Sequence, residues 1–225
     1  KPRKTEIIYS AEEAEPEVEE ESVPDYPVTL FVSKEGYLKK ITAQSLRMSG
    51  EQKFKEGDSL SFSKETSNRC EILVFTDKQQ CYKSRLSDFD DGKASQLGDY
   101  LPQKLGFEPD EKVLQVILAG DYKGFVLFFF ENGKAARVPL SAYETKTNRR
   151  KLTGAYSDKS GLVKVIALDA DTQMALYSTD GRCMILSTAQ LLPKTTRNTQ
   201  GVAVMTLKKK ALLQDALLLD QSGIV

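Results

Sequence analysis

The residues of this chain best suited to chemistry are its cations, and they recur. Lys39, Lys40, Lys83, Arg85, Lys134, Arg137 and Arg182 follow short polar turns, while Arg149, Arg150, Lys151, Lys194 and Arg197 lie in connecting segments. Ammonium and guanidinium groups repeated at matched places can neutralise a row of phosphates, the electrostatic footprint of a duplex. Other chemistries lack their reagents. The chain has no histidine, which removes the commonest general base and the usual partner of a serine or cysteine nucleophile. No phosphate-binding glycine loop is present. Asp88, Asp90 and Asp91 fit no calcium-loop spacing and read as a solvated turn. Cys70, Cys81 and Cys183 have no Cys-x-x-Cys spacing, which speaks for a reducing cytoplasm and against structural zinc. Cys70 and Cys81 flank one turn and are placed to face each other across it.

The elements that must position these cations are short strands. Four times an apolar run meets a polar turn and a second run: Val28 to Val32 before Gly36, Ile72 to Phe75 before Gln80, Val126 to Phe130 before Gly133, and Met174 to Tyr177 before Gly181. The anchors lie 44 to 53 residues apart, the period of a propeller-type array. Asn132-Gly133 and Asp180-Gly181 are strong hairpin signals; Gln80 breaks the glycine rule and predicts a different turn there. A further strand recurs between hairpins, at Ser59 to Phe62, Val113 to Leu118, Leu162 to Leu168 and Leu212 to Leu219. The last has helical periodicity as well, but the repeat register makes it a strand, since tertiary context overrides propensity. The predicted fold is all-β, with four recognisable blades plus one extra strand segment. Phe128, Phe129 and Phe130 are expected in the core. Lys208-Lys209-Lys210 reads equally as a solvated turn.

Residues 1–23 form a separate N-terminal region, with a short strand at Thr5 to Tyr9 and a glutamate-rich linker; the blades occupy 24–225. The chain has zero net charge, but residues 1–23 hold three Lys/Arg against eight glutamates, so the body carries a net +5. That excess lies after Leu140. An acidic tail on a basic body points to a polyanionic partner, with Glu12 to Glu21 as a weak internal competitor. No apolar run reaches the roughly 18 residues of a membrane span. Starting at Lys1 without methionine, the chain reads as a piece of a longer polypeptide. Gly223-Ile224-Val225 matches Gly124-Phe125-Val126 at the third hairpin, so it either opens a further blade or closes a ring.

Three stretches carry a family resemblance. Gly36-Tyr37-Leu38-Lys39-Lys40 resembles the Gly-Tyr-Ile-Lys-Arg signature of the C-terminal domains of bacterial gyrase A and topoisomerase IV A subunits. Thr195 to Val202 is similar to the family's Gly-Arg-x-x-x-Gly-Val segment, with Thr196 for the first glycine. Pro2-Arg3-Lys4-Thr5-Glu6-Ile7-Ile8 resembles the basic junction that precedes this domain. The resemblance implies a β-pinwheel, a propeller-like disc whose blades exchange strands, binding duplex DNA around a basic rim without catalytic residues of its own. It further implies a parent type II topoisomerase that uses ATP and Mg²⁺, with a B-type ATPase subunit and a second A-type subunit held through other domains. One departure matters. Leu46 to Gly57 stands where gyrase carries a Gln-x-Arg-Arg-Gly-Gly-Lys-Gly box, yet lacks its Arg-Arg and Gly-Gly pairs and includes Glu51 and Glu56. That favours a topoisomerase IV-like role over supercoiling. The rival reading is a propeller-type scaffold for proteins or peptides, which predicts a mixed-charge rim and an apolar groove.

Overall fold

The computed structural model describes residues 23–48, 51–145, 150–220 and 223–224. The N-terminal strand and acidic linker read from the sequence, with their competitor role, lie outside the described residues, as does Arg149.

The chain builds each blade and then reaches back to finish the one before. β1 (Pro27–Ser33) and β2 (Tyr37–Thr42) form the first hairpin, and β3 (Leu60–Ser67) pairs with β1. β4 (Glu71–Thr76) and β5 (Gln80–Arg85) form the second, after which β6 (Asp99–Tyr100) returns to the outer edge of β2. β7 (Val113–Leu118) then pairs with β4. The cycle repeats with β8 (Phe125–Phe130) and β9 (Lys134–Pro139), the returning β10 (Lys151–Thr153) on β5, and β11 (Leu162–Leu168) on β8. It repeats again with β12 (Gln173–Ser178) and β13 (Cys183–Ser187), the returning β14 (Val202–Ala203) on β9, and β15 (Leu213–Asp220) on β12. β16 (Gly223–Ile224) folds back on β15. The result is four sheets of four strands, and the strand reading of Leu212 to Leu219 holds.

The turns obey one geometry. In all four blades the first residue of the turn donates its N–H to the residue before the third strand: Lys34 to Ser59 at 2.9 Å, Asp77 to Lys112 at 3.1 Å, Glu131 to Gly161 at 2.8 Å and Thr179 to Leu212 at 2.9 Å. The left-handed position that follows holds Gly36, Gln79, Gly133 and Gly181, with φ of 89°, 54°, 74° and 79°. The second anchor is therefore Gln79, one residue before Gln80, and its turn is the same turn as the others. A glutamine occupies a conformation that glycine adopts without steric cost.

Strand alternation ties the blades together. β8 is buried on both faces: Val126, Phe128 and Phe130 pack with Leu73, Phe75 and Tyr143 toward the second blade. Phe125, Leu127 and Phe129 pack with Met174, Leu176 and Leu213 toward the fourth. β4 repeats this, sending Ile72 and Val74 to the first blade and Leu73 and Phe75 to the third. A period of two thus turns β4 and β8 into wedges between neighbouring blades. The third strands of all four blades meet around a cleft of about 330 Å³ lined by Phe62, Val116, Leu118, Val165, Ala167 and Leu218. The returning strands lie farthest from it, on the outer rim.

Candidate nucleic-acid interface

Counting from the left-handed turn residue brings the recurrent cations into register. The fourth residue after it is Lys40, Lys83 and Arg137 in the first three blades, and the structure makes these three structural. Lys40 is 3% exposed; its ammonium donates to Asn68 Oδ1 at 2.6 Å, pairs with Asp91 at 3.1 Å and lies over the Tyr26 ring. Lys83 pairs with Glu71 at 3.1 Å over the Tyr122 ring. Arg137 holds Asp171 at 2.9 Å, donates to the Thr188 and Leu191 carbonyls, and stacks 3.6 Å from the centre of the Phe125 ring. Asn68, Tyr122 and Asp171 all belong to the lead-in of the next blade. The recurrence seen in the sequence is real, but it marks inter-blade clamps. Each of these three cations is engaged by partners at the junction with the next blade.

The electrostatics agree. Burial of Glu71 acts to push its carboxyl up, but hydrogen bonds from Tyr122 and Lys83 outweigh it and hold the group below the ordinary glutamate value. Lys39, also 3% exposed, donates to the carbonyls of Lys53 and Ala94, and burial lowers its ammonium below the usual lysine range. It too is withdrawn from the surface.

The other sequence-derived candidates divide into paired and open groups. Arg85 is exposed and reaches Glu71 at 3.4 Å. Lys134 donates to Gln200, and Arg182 holds Asp180 and the Thr206 carbonyl. Lys151 pairs with Glu108 at 2.7 Å, and that carboxylate holds its ammonium above the ordinary value. Arg197 donates to the Ala142 carbonyl. Only Arg150 and Lys194 of the candidates are exposed with no ion pair among the described residues.

Both lie in segments that return to the preceding blade. Backbone hydrogen bonds join the fourth-position residue to the returning segment: Gly92 N–H to Lys40 O at 2.7 Å, Lys83 N–H to Arg150 O at 2.7 Å, and Lys194 N–H to Arg137 O at 2.8 Å. Gly92 and Lys194 donate to the fourth-position carbonyl well before β6 and β14 begin, whereas Arg150 accepts from Lys83 directly before β10. Lys93 beside Gly92 is the exposed cation of the first returning segment. Lys93 is exposed, with no ion pair among the described residues. Reading cations from the turns missed it, because it follows Asp90-Asp91-Gly92 in a stretch that looks acidic. Asp91 is committed to Lys40 and Tyr26, and Asp88 to Ser84 and the Arg85 N–H. Cys81 faces Phe75 across its hairpin rather than Cys70.

A protein-family model described as "DNA gyrase C-terminal domain, beta-propeller" matches residues 29–62 and 179–220, parts of the first and last blades. The subunits A of DNA topoisomerase 4 from Staphylococcus epidermidis and Staphylococcus aureus are each 27% identical, over 191 and 192 residues, or 83% of this chain. The chain spans about a quarter of their length, 24% in each. Among solved structures, the C-terminal domain of DNA topoisomerase IV superposes with a TM-score of 0.77 at 23% identity, covering 88% of this chain and 63% of that one. The E. coli ParC C-terminal domain follows at 0.66 and 15% identity, over 87% and 80%. The chain is similar to the C-terminal β-propeller domains of the gyrase A and topoisomerase IV A subunits, and shares their fold. Gyrase A's own C-terminal domain superposes too, at 0.54 and 16% identity over 87% of this chain and 66% of that one. In this chain the cations paired at blade junctions and the exposed cations without an ion pair among the described residues are distinct sets.

Proposed function

We propose that the chain is the duplex-binding domain of a type II topoisomerase A subunit, and that DNA runs along the outer rim over Lys93, Arg150 and Lys194. The supporting observation is that each of the three returning segments carries an exposed cation with no ion pair among the described residues. The path is weighted toward the second and third blades, where Lys151 and Arg197 lie close in sequence to Arg150 and Lys194; Lys93 has Asp90 nearby. Phosphate contacts of this kind position DNA without reading its bases. The parent enzyme supplies cleavage and ATP chemistry with Mg²⁺, through its other domains, a second A subunit and an ATPase subunit.

The test is fluorescence anisotropy on random duplexes across a salt series. Each lost phosphate contact removes about 0.9 from the slope of log affinity against log salt. The triple variant Lys93→Gln, Arg150→Gln, Lys194→Gln is expected to flatten that slope by about 2 to 3 and to unfold at the same temperature as the parent. An unchanged slope would remove DNA from this rim and leave the central apolar cleft and a protein-scaffold role as the reading to pursue.

Within that function we place the parent closer to topoisomerase IV than to a supercoiling gyrase. Lys55, one of the few cations in the stretch that replaces the wrapping box, pairs with Glu35 at 2.9 Å. Bending a site of a few turns costs on the order of several kcal/mol, which demands denser free charge than Arg47 and Lys53 offer. The reconstituted holoenzyme with ATP is expected to relax or decatenate plasmid while introducing few negative supercoils. Efficient supercoiling on chloroquine gels would place the nucleus of a wrap elsewhere on the rim.

A further inference from the structure

One turn recurs on the way into the third strand of three blades. Lys55 to Asp58, Glu108 to Glu111 and Lys208 to Ala211 each close with the fourth N–H donated to the first carbonyl, at 3.0, 3.2 and 2.9 Å. The third residue of each is left-handed: Gly57, Asp110 and Lys210, with φ of 83°, 60° and 69°. Each turn ends two residues before its strand, beside the hairpin turn of the same blade. The backbone is alike and the charge is opposite. Lys55-Glu56-Gly57-Asp58 carries −1 and Glu108-Pro109-Asp110-Glu111 carries −3, whereas Lys208-Lys209-Lys210-Ala211 carries +3. In the third blade the matching Ser157-Asp158-Lys159-Ser160 is neutral.

The first two turns use their charges inside the molecule. Lys55 pairs with Glu35, Asp58 accepts the Glu35 N–H, Glu108 pairs with Lys151, and Glu111 accepts from the Tyr82 hydroxyl. Lys208, Lys209 and Lys210 are exposed, with no ion pair among the described residues. The turn that carries them is nonetheless fixed to the hairpin. Thr179 N–H donates to Leu212 O at 2.9 Å, and Leu212 N–H donates to Thr179 Oγ1 at 3.0 Å. Lysine at the left-handed position is the informative choice. Glycine takes that conformation without steric cost, as Gly57 does, whereas Lys210 carries strain beside an unpaired charge, a combination found at binding sites.

We propose that the Lys208-Lys209-Lys210 turn is a docking site for a short acidic segment of a partner protein, a run of aspartates or glutamates. Three ammoniums on consecutive residues of a fixed turn complement closely spaced carboxylates. Duplex DNA fits this end of the blades poorly. A duplex continuing from blade to blade would meet Glu56 and Asp110 on the matching turns, both exposed, and like charge repels phosphate. The rim cations lie elsewhere. Gly92, Arg150 and Lys194 bond to the fourth residue after the left-handed hairpin residue, roughly 13 Å along the strand from the turn. The site is therefore separate from the DNA path and does not depend on it.

Fluorescence anisotropy with a fluorescein-labelled octaglutamate peptide tests this on the 225-residue chain at low salt. Binding that weakens as salt rises is expected, with an octaglutamine peptide inert. The variant Lys208→Gln, Lys209→Gln, Lys210→Gln is expected to bind at least about tenfold more weakly. The rim variant Lys93→Gln, Arg150→Gln, Lys194→Gln is expected to bind the peptide as the parent does. Lys210→Gly separates charge from fold. It is expected to melt no lower than the parent, since glycine relieves the left-handed strain, yet to bind the peptide about two- to threefold more weakly. Equal peptide binding by the lysine-turn variant and the parent would overturn the proposal. So would a loss of duplex affinity in that variant as large as in the rim variant, which would give the turn to DNA. Peptide binding seen only after deletion of residues 10–22 would also overturn it, and give the turn to the chain's own glutamates.

Discussion

Replacing Arg137 with alanine is expected to destabilise the domain by about 3 kcal/mol, although the residue looks like a surface cation in the sequence. Its guanidinium makes a charged hydrogen bond to Asp171 and two bonds to the Thr188 and Leu191 carbonyls. Hydrogen bonds to charged groups contribute about 1.5 to 3 kcal/mol each, and acceptors left without a donor carry a desolvation penalty. Stacking on Phe125 contributes up to about 2 kcal/mol in a desolvated setting. These terms overlap, so their sum is an upper bound. At roughly 2–4 °C per kcal/mol for a chain of this size, the melting temperature should fall by about 6–12 °C. Urea unfolding measures it, with Arg150→Ala as the control, expected within about 0.5 kcal/mol of the parent. If Arg137→Ala kept full stability while losing DNA, the clamp would be refuted and the residue returned to the rim.

The second large effect concerns Gly201, where β14 begins. Its φ is 70°, and a β-carbon there would overlap Ala135 O, Ala135 C and Ala136 Cα. All three are backbone atoms of β9, held in the ladder to β8, so they cannot move aside as a flexible side chain would. Gly201→Ala therefore combines about 1–2 kcal/mol for a left-handed alanine with steric ejection of β14. Ejection frees the bonds from the Val204 and Met205 N–H groups to Gly133 O and uncovers Met205. A total loss of about 3 kcal/mol or more is expected, within the range of backbone strain plus overpacking. Gly154→Ala isolates the first term: its φ is 61°, but open space surrounds the β-carbon position. Equal melting temperatures for the two variants would mean that the return strand yields without cost.

Much of the fold was legible because its periodicities are local. Alternation at Val126 to Phe130 announces a strand whatever surrounds it, and Asn132-Gly133 and Asp180-Gly181 state their turn geometry in two residues. The blade spacing then forced Leu213–Asp220 to be a strand against its helical pattern. The second anchor was misplaced by one residue because Gln79 takes a backbone conformation that only the surrounding ladder makes tolerable. Gly36, Gly133 and Gly181 carry a chemical mark of the turn; Gln79 carries none.

The candidate site was legible only in part, and the reason lies in sequence separation. Whether a lysine is a free phosphate ligand or a clamp depends on what faces it. For Lys40 that is Asn68 and Asp91, for Lys83 Tyr122 as well as Glu71, and for Arg137 Asp171, most of them 28 to 51 residues away. No local pattern encodes such partners; they meet because each blade is finished by a strand sent back from the next. The sequence by itself determined the four-fold repeat, the strand class and the family resemblance, all properties of short-range spacing. Only the tertiary structure decided which cations are consumed between blades and which remain on the rim, because charge becomes available or unavailable through its neighbours in space.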